Sequence, residues 1–375
     1  MPTTRRVVTG LAVVALAATA CGGGTALKAK SSSTSKATSS STSAAAAPSA
    51  KSGFKACMVT DTGGIDDRSF NASAWQGLQE AHAANPKVHI TYLQSTSQSD
   101  YVPNITTFIN QHCNLIVTVG FLMATATQQA AKAHPNQKFA IVDNEYSPPI
   151  KNVRALLYDT ADDAFLGGYL AAGMTRTGTV ATYGGEDFST VTIYMDGFWD
   201  GVQYYDAQHH AHVKVLGWNE KTQHGIFVGS FTDQSKAEDI TNAFIQQGAD
   251  IIFPVAGDDG LGTVAAAKAA PAGKVHVLWV DTDGCVSDPQ GCPYFYASVT
   301  KGIAASVKQV ALETYAGHFH GGNYIGTFKN NGIALIYGKD LSSKIPASLK
   351  AQIAQVKQGI ESGKIPVPSP STPKV

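Results

Sequence analysis

"MVTDTGGIDDRSFNASAWQGL", residues 58–78, changes character three times. A short apolar run stops at Asp61, a loop carrying Gly63-Gly64, Asp66 and Asp67 follows, and an amphipathic pattern begins on Ser69-Phe70-Asn71. A strand that feeds a helix through an acidic loop is the opening unit of a parallel α/β fold. From Phe54 onward the same alternation repeats. Strands are predicted over 55–60, 88–93, 114–119, 138–142 and 153–157, and helices over 69–84, 101–112, 122–134 and 162–175. The cycle then restarts, with strands near 178–183, 213–217, 250–254 and 275–280 and helices near 192–208, 233–247 and 260–270. After Gly284 come "YFYASVT", a helix from Lys301 to Tyr315 and a strand pair around 324–337. The expected fold is therefore two doubly wound parallel-sheet α/β lobes on a hinge crossed more than once. The expected boundaries are 53–176 for the first lobe, 177–283 for the second, a return to the first over 284–320, a return to the second over 321–345, and a C-terminal helix and tail over 346–375.

Outward from this core, the N-terminus reads as a targeting segment over residues 1–20. Arg5 and Arg6 form a basic start, Val7 to Ala18 an apolar stretch, and Ala18-Thr19-Ala20 a small-residue site before Cys21. The apolar stretch is shorter than the ~20 residues a spanning helix needs. A cysteine placed there resembles a bacterial lipobox with Cys21 as the lipidated residue, although Ala18 stands where Leu is usual. An ordinary secretory cut near Ala20 is the alternative. Residues 21–52, rich in Ser, Thr, Ala and Lys, read as a flexible tether.

Composition narrows the function classes. The 375 residues are 43% hydrophobic and 15% charged, enough to bury a sizeable core. Without Arg5 and Arg6, 28 − 2 = 26 basic residues face 28 acidic ones, and no basic stretch lies in the folded part. Nucleic acid, which requires clustered Lys and Arg, is set aside as a partner. Removing Cys21 leaves four cysteines, an even number suited to an oxidising compartment. Cys285 and Cys292 flank a Pro- and Gly-containing loop and are expected to pair. Cys57 and Cys113 begin two apolar runs that neighbour each other in a doubly wound sheet, so they form the second expected pair. Two buried free thiols are the alternative reading of Cys57 and Cys113. No cysteine or histidine spacing suggests a metal, and no cofactor motif is present.

Ligands of open α/β sheets lie beyond the carboxyl ends of the strands. Those ends carry Asp61, Gly120-Phe121, Asp143-Asn144, Gly184-Gly185, Gly257-Asp258-Asp259 and Asp281-Thr282-Asp283, while only Arg68, Arg154 and Arg176 remain as arginines. A phosphate or carboxylate site would want guanidinium forks or clustered lysines. Acids facing a cleft instead suit a neutral ligand rich in O–H and N–H donors, such as a sugar or a nucleoside. Each residue also has a plainer reading. An Asp at a strand end can cap the next helix, Phe70 can be core, and Lys301 taken alone is a solvated charge.

"VTDTGGIDDRSFNASAWQGL" resembles the opening motif of the basic membrane protein (Bmp) lipoproteins. Further resemblances follow in order: "LIVTVGF", "KFAIVDN", "AFLGGYLAAGMTRTGTVATYGG", "DGFWDGVQYY", "VGSFTD", "GADIIFPVAG", "WVDTDG" and "QGIESGKIPVP", covering about residues 54–367. The resemblance implies a type I periplasmic-binding-protein fold. It also implies a lipid anchor on the extracytoplasmic face of the cell membrane and capture of a purine nucleoside for an ABC permease. Carried over by position, it implies that Phe70 and Phe231 sandwich the base and that Asn71 and Asp143 bind its edge. Asp61 then lines the same pocket, and Asp281 or Asp283, Lys301 and the Gly257 backbone meet the ribose. No catalytic role is implied, and a monomer suffices. A simple-sugar ligand, a sensor without a permease, and a hydrolase using the aspartates at 61, 66 and 67 remain the alternatives.

Overall fold

A computed structural model describes residues 53–374. The targeting segment, Cys21 and the tether lie outside the described residues. Chain order begins with β1 (Phe54–Val59), α1 (Phe70–Ala84), β2 (Val88–Leu93), α2 (Tyr101–Asn110), β3 (Leu115–Val119), α3 (Ala124–Ala133), β4 (Lys138–Val142) and β5 (Val153–Tyr158). The chain then passes through α4 (Thr160–Met174), β6 (Thr179–Gly184), α5 (Ser189–His209), β7 (Lys214–Leu216), a two-stranded ribbon of β8 (Trp218–Asn219) and β9 (His224–Gly225), and α6 (Gln234–Gln246). Next come β10 (Ile251–Val255), α7 (Gly260–Ala269), β11 (His276–Asp281), a single turn α8 (Gly284–Ser287) and β12 (Phe295–Lys301). It ends with α9 (Ile303–Tyr315), β13 (Gly322–Gly326), β14 (Ile333–Tyr337) and α10 (Ala347–Glu361).

Two six-stranded sheets result, ordered β13-β5-β4-β3-β1-β2 and β14-β12-β11-β10-β6-β7. All ladders within them are parallel except β12–β14, which is antiparallel. Central strands such as β3 and β10 are buried at every position, as apolar runs covered by helices on both faces require. Both expected disulfides are formed. Cys57 lies on β1 and Cys113 just before β3, and these strands pair.

The lobe boundaries differ from those expected at three places. The first lobe does not run to residue 176, because α4 lies along α5 and against β12 and β14. Twelve of its 15 residues are buried, so it fills the second lobe rather than capping the first. The return to the first lobe does not begin at 284. β12 sits between β11 and β14 in the second sheet, and within 284–320 the element that lies in the first lobe is α9, packed on α1. Nor do the two strands around 324–337 pair with each other: β13 extends the first sheet beside β5, and β14 extends the second beside β12. The final return to the second lobe therefore falls after Gly326 rather than at 321.

Three crossings make the hinge, and they are bonded to one another. Asp159 N donates to Gly326 O at 2.9 Å and Gly302 N to Gly332 O at 2.7 Å. A Cβ on Gly332 would lie 2.2 Å from the Gly326 Cα, so two crossing segments touch through bare backbone.

Candidate ligand-binding site

A cleft lies between the carboxyl ends of the two sheets. From the first lobe, the turn after β1 and the start of α1 supply Asp61, Phe70 and Asn71 to it. The three acids of this loop have separate positions. Asp67 accepts from the backbone N–H groups of Ser69 (3.1 Å), Asn71 (2.7 Å) and Ala72 (3.0 Å), capping α1. Asp66 faces a surface groove outside the cleft. Asp67 also lines the cleft, while Asp61 is the strand-end acid: its Oδ1 accepts from Asn71 Nδ2 at 2.8 Å and from Gly63 N at 3.0 Å. The second amide hydrogen of Asn71 goes to Asp67 Oδ2 at 3.0 Å, and its Oδ1 accepts from Asp61 N at 3.2 Å. Both donors of Asn71 are thus engaged within the loop. Gly120, at φ 105°, leaves room beside these groups, since a Cβ there would lie 2.7 Å from Asp61 Oδ2 and 3.3 Å from the Phe70 ring.

The polar centre is a lysine between two carboxylates. Asp143 follows β4, Asp281 ends β11, and both have left-handed backbone, at φ 60° and 66°. Non-glycine residues rarely adopt this conformation outside sites that need it. Lys301, at the end of β12, is ion-paired with Asp143 Oδ2 and lies 3.4 Å from Asp281 Oδ1. Far from being a solvated charge, it is 8% exposed. Ser69 Oγ donates to Asp281 Oδ2 and the Tyr194 hydroxyl to Asp281 Oδ1, each at 3.0 Å. The Lys301 ammonium also lies 5.2 Å from the Phe70 ring centre and 5.0 Å from that of Tyr194. Asp283 is elsewhere: it caps α8 by accepting from Cys285 N at 2.9 Å and does not line the cleft.

Burial governs the ionisation of these groups. It pushes Asp61 up to about 6 against the hydrogen bonds from Asn71 and Gly63, and Asp67 up to about 7 despite four donors. Asp143 also rises to about 6 through burial, although Lys301 opposes the shift. For Lys301, burial disfavours the ammonium, but Asp143 and Asp281 together outweigh it and hold the group protonated above the usual lysine range. Burial raises the Tyr194 hydroxyl well above its ordinary value, so it stays a donor to Asp281.

From the second lobe, Phe231 and Gly257 reach the same cleft. A Cβ on Gly185 would sit 2.3 Å from the Phe231 ring, so glycine at 185 makes the space for that ring. Asp61, Phe70, Asn71, Asp143, Phe231, Gly257, Asp281 and Lys301 therefore line one cavity, and of the two aspartates expected at the ribose Asp283 does not. Three further side chains belong with them. Tyr194 lies on α5, within the helix predicted near 192–208 and with nothing to mark it out, and Phe188 falls just before that helix where no pattern marked it. Phe121 of the first lobe, noted only as a strand end, meets Phe188 across the cleft at 4.9 Å between ring centres, and Phe188 lies 6.5 Å from Phe231. Among the described residues no group of His, Cys, Asp and Glu is arranged to hold a metal ion, and no helix is long and apolar enough to cross a membrane.

Two α/β lobes flanking a cleft are the architecture of solute-binding proteins, and comparison with known proteins identifies the family. The sequence profile of the family described as Bmp, ABC transporter substrate-binding protein PnrA-like, matches residues 54–369. The chain is 32% identical over 334 residues to the ABC transporter nucleoside-binding protein BmpA of Lactococcus lactis subsp. cremoris, covering 85% of this chain and 90% of that one. It is 26% identical over 324 residues to basic membrane protein A2 of Borrelia garinii subsp. bavariensis, with 85% and 90% covered. A crystal structure of an ABC transporter solute-binding protein from Aeropyrum pernix K1 shares the fold at a TM-score of 0.74 with 23% identity, over 84% of this chain and 94% of that one. The protein belongs to the Bmp family of PnrA-like ABC transporter substrate-binding proteins. The family's role is to bind a small molecule for a permease, not to transform it.

Proposed function

We propose that this protein captures a purine nucleoside in the inter-lobe cleft and presents it to an ABC permease. The observation that carries the reading is the pairing of two aromatic side chains, one from each lobe, with a buried Asp–Lys–Asp centre in one cavity. A flat neutral heterocycle gains from aromatic faces on both sides, and Phe70 and Phe231 supply them in this reading. Asp143 then accepts from the N–H groups of the base edge, with Asp61 beside it. Ribose hydroxyls donate to Asp281, while Lys301 and the Gly257 N–H donate to ribose oxygens. Asn71, with both amide donors engaged, serves by aiming Asp61 rather than by bonding the base. Acids without a free arginine disfavour phosphorylated ligands, so the neutral nucleoside is the cargo. The relative named a nucleoside-binding protein supports the same class.

The N-terminal segment completes the reading. Cys21 carries the lipid, residues 21–52 tether the lobes to the extracytoplasmic face of the membrane, and the protein works as a monomer. Replacing Cys21 by Ala is expected to release the protein from the membrane fraction, and retention there would refute the anchor.

The functional test is calorimetric titration of protein passed through an unfolding step to strip carried-over ligand. Adenosine, guanosine and inosine are expected to bind, cytidine weakly and ribose not at all. Binding of ribose alone would move the ligand to the sugars, and release of free base would make the protein an enzyme.

A further inference from the structure

We propose that Arg68 and the disulfide-closed loop 285–292 form a latch across the cleft mouth, which sets how much of the protein is closed before any ligand arrives. Arg68 belongs to the first lobe and Asp288 to the second, and Arg68 Nη1 donates to Asp288 Oδ1 at 2.7 Å. Neither residue lines the ligand cleft, so the pair acts on closure and not on recognition. The inference rests on the binding-protein reading above for its consequence, though not for its geometry.

The acceptor is fixed in place. Asp288 sits inside the ring closed by Cys285 and Cys292, seven residues apart. Its N–H donates to Gly284 O at 2.8 Å, and its carbonyl accepts from Gly291 N at 2.9 Å. A Cβ on Gly291 would lie 2.3 Å from Asp288 Oδ2, so glycine there leaves the carboxylate its space. The ring is rooted in the second sheet, because Gly284 N donates to Ser298 Oγ at 3.0 Å and packs on Trp279. The Asp288 side chain is 3% exposed although its loop is at the surface.

The donor is equally constrained. Arg68 has φ 52°, an uncommon conformation for a non-glycine residue and one that aims this side chain across the cleft. Its successor Ser69 also crosses, to Val280 O at 3.3 Å and to Asp281 Oδ2 at 3.0 Å. Phe70, the next residue, is the aromatic face of the first lobe. Opening the lobes must therefore break the ion pair, withdraw Ser69 and carry Phe70 away as one segment. A latch coupled in this way favours the closed arrangement with the stacking ring already in position, which raises apparent affinity by increasing the binding-competent fraction.

The test is small-angle scattering of the ligand-free protein together with stopped-flow release of adenosine. Arg68→Gln and Asp288→Asn are each expected to expand the ligand-free particle and speed release by about fivefold, the upper end for a partly exposed pair. The charge-reversed double variant, Arg68→Asp with Asp288→Arg, is expected to recover the compact particle. Wild-type scattering from both single variants would overturn the latch. Expansion that the reversal fails to repair would also overturn it, by making the contact a packing feature and not an ion pair. If adenosine proves not to bind, the scattering arm still decides the latch, so failure of the ligand class and failure of the latch are read separately.

Discussion

Lys301 has the most constrained position of any residue in the cleft, because two lobes meet on its ammonium. Truncating it leaves Asp143 and Asp281, 5% and 6% exposed, as unpaired buried carboxylates. Removing one partner of such a pair costs about 3–5 kcal/mol. Lys301→Met is therefore expected to lower the melting temperature of the ligand-free protein sharply. An unchanged melting temperature would show that the centre is solvated in solution. Phe70→Ala and Phe231→Ala are expected to act on binding: losing one stack of about 0.5–1.5 kcal/mol plus the ring's burial weakens affinity at least about tenfold. Calorimetry on each variant checks this, and full retention of affinity in both would remove the base from between the rings. The strand-end rule made most of this site legible, since Asp61, Asp143, Gly257 and Asp281 all stand where a parallel sheet stops. Side-chain bonding was not legible: that Asn71 turns both donors towards Asp61 and Asp67 depends on loop geometry that spacing does not encode. Tyr194 was missed because its place on α5 carries the same apolar spacing as core, and Phe188 because it lies just before that helix, outside any periodic pattern.

At the scale of elements, the contact between α4 and α5 explains glycines placed in the middle of two helices. A Cβ on Gly168 would lie 2.0 Å from Phe198 O, one on Gly197 2.1 Å from Ala161 O, and one on Gly201 2.0 Å from Phe165 O. The helix backbones touch through these positions, and overpacking against a carbonyl cannot be relieved by a side-chain rotation. Gly201→Ala is expected to cost about 3 kcal/mol or more. Gly178→Ala is the contrast: at φ 72° with open space around it, the alanine incurs only the left-handed backbone strain of about 1–2 kcal/mol. Denaturant midpoints of the two variants check the ranking, and a smaller loss at Gly201 than at Gly178 would overturn it. Elements themselves were readable to within a few residues because buried parallel strands are continuous apolar runs. The lobe to which each belongs was not. Local sequence says that β12 and β13 are strands, but which open sheet edge each joins follows from the three crossings, and α4 reads the same whether it ends one lobe or fills the next.

The molecule as a whole carries an unusual load of buried carboxylic acids, and their titration opposes stability to binding. Burial lifts Asp61 and Asp143 to about 6, Asp67, Asp162, Asp200 and Asp259 to about 7, and Asp163 well above the carboxylate range. In the unfolded chain such groups titrate near ~4. Between those limits the folded state binds more protons than the unfolded one, so the stability these groups contribute is present at low pH and lost as pH rises through about 6 to 7. His276 acts the other way, because burial lowers it to about 4 and the unfolded chain then takes the extra proton on acidification. Seven acids against one histidine leave a net gain on moving from neutral to mildly acidic solution. Binding moves in the opposite direction. A proton on Asp61 or Asp143 turns an acceptor for the ligand's N–H and O–H groups into a competing donor, so affinity falls as pH drops through about 6. Melting curves from pH 7.5 to 5 with and without adenosine are therefore expected to converge, the ligand-free midpoint holding or rising while the ligand-induced shift shrinks. A ligand-induced shift that stays constant across that range would remove Asp61 and Asp143 from direct contact with the ligand and leave the Asp281–Lys301 pair as its polar anchor.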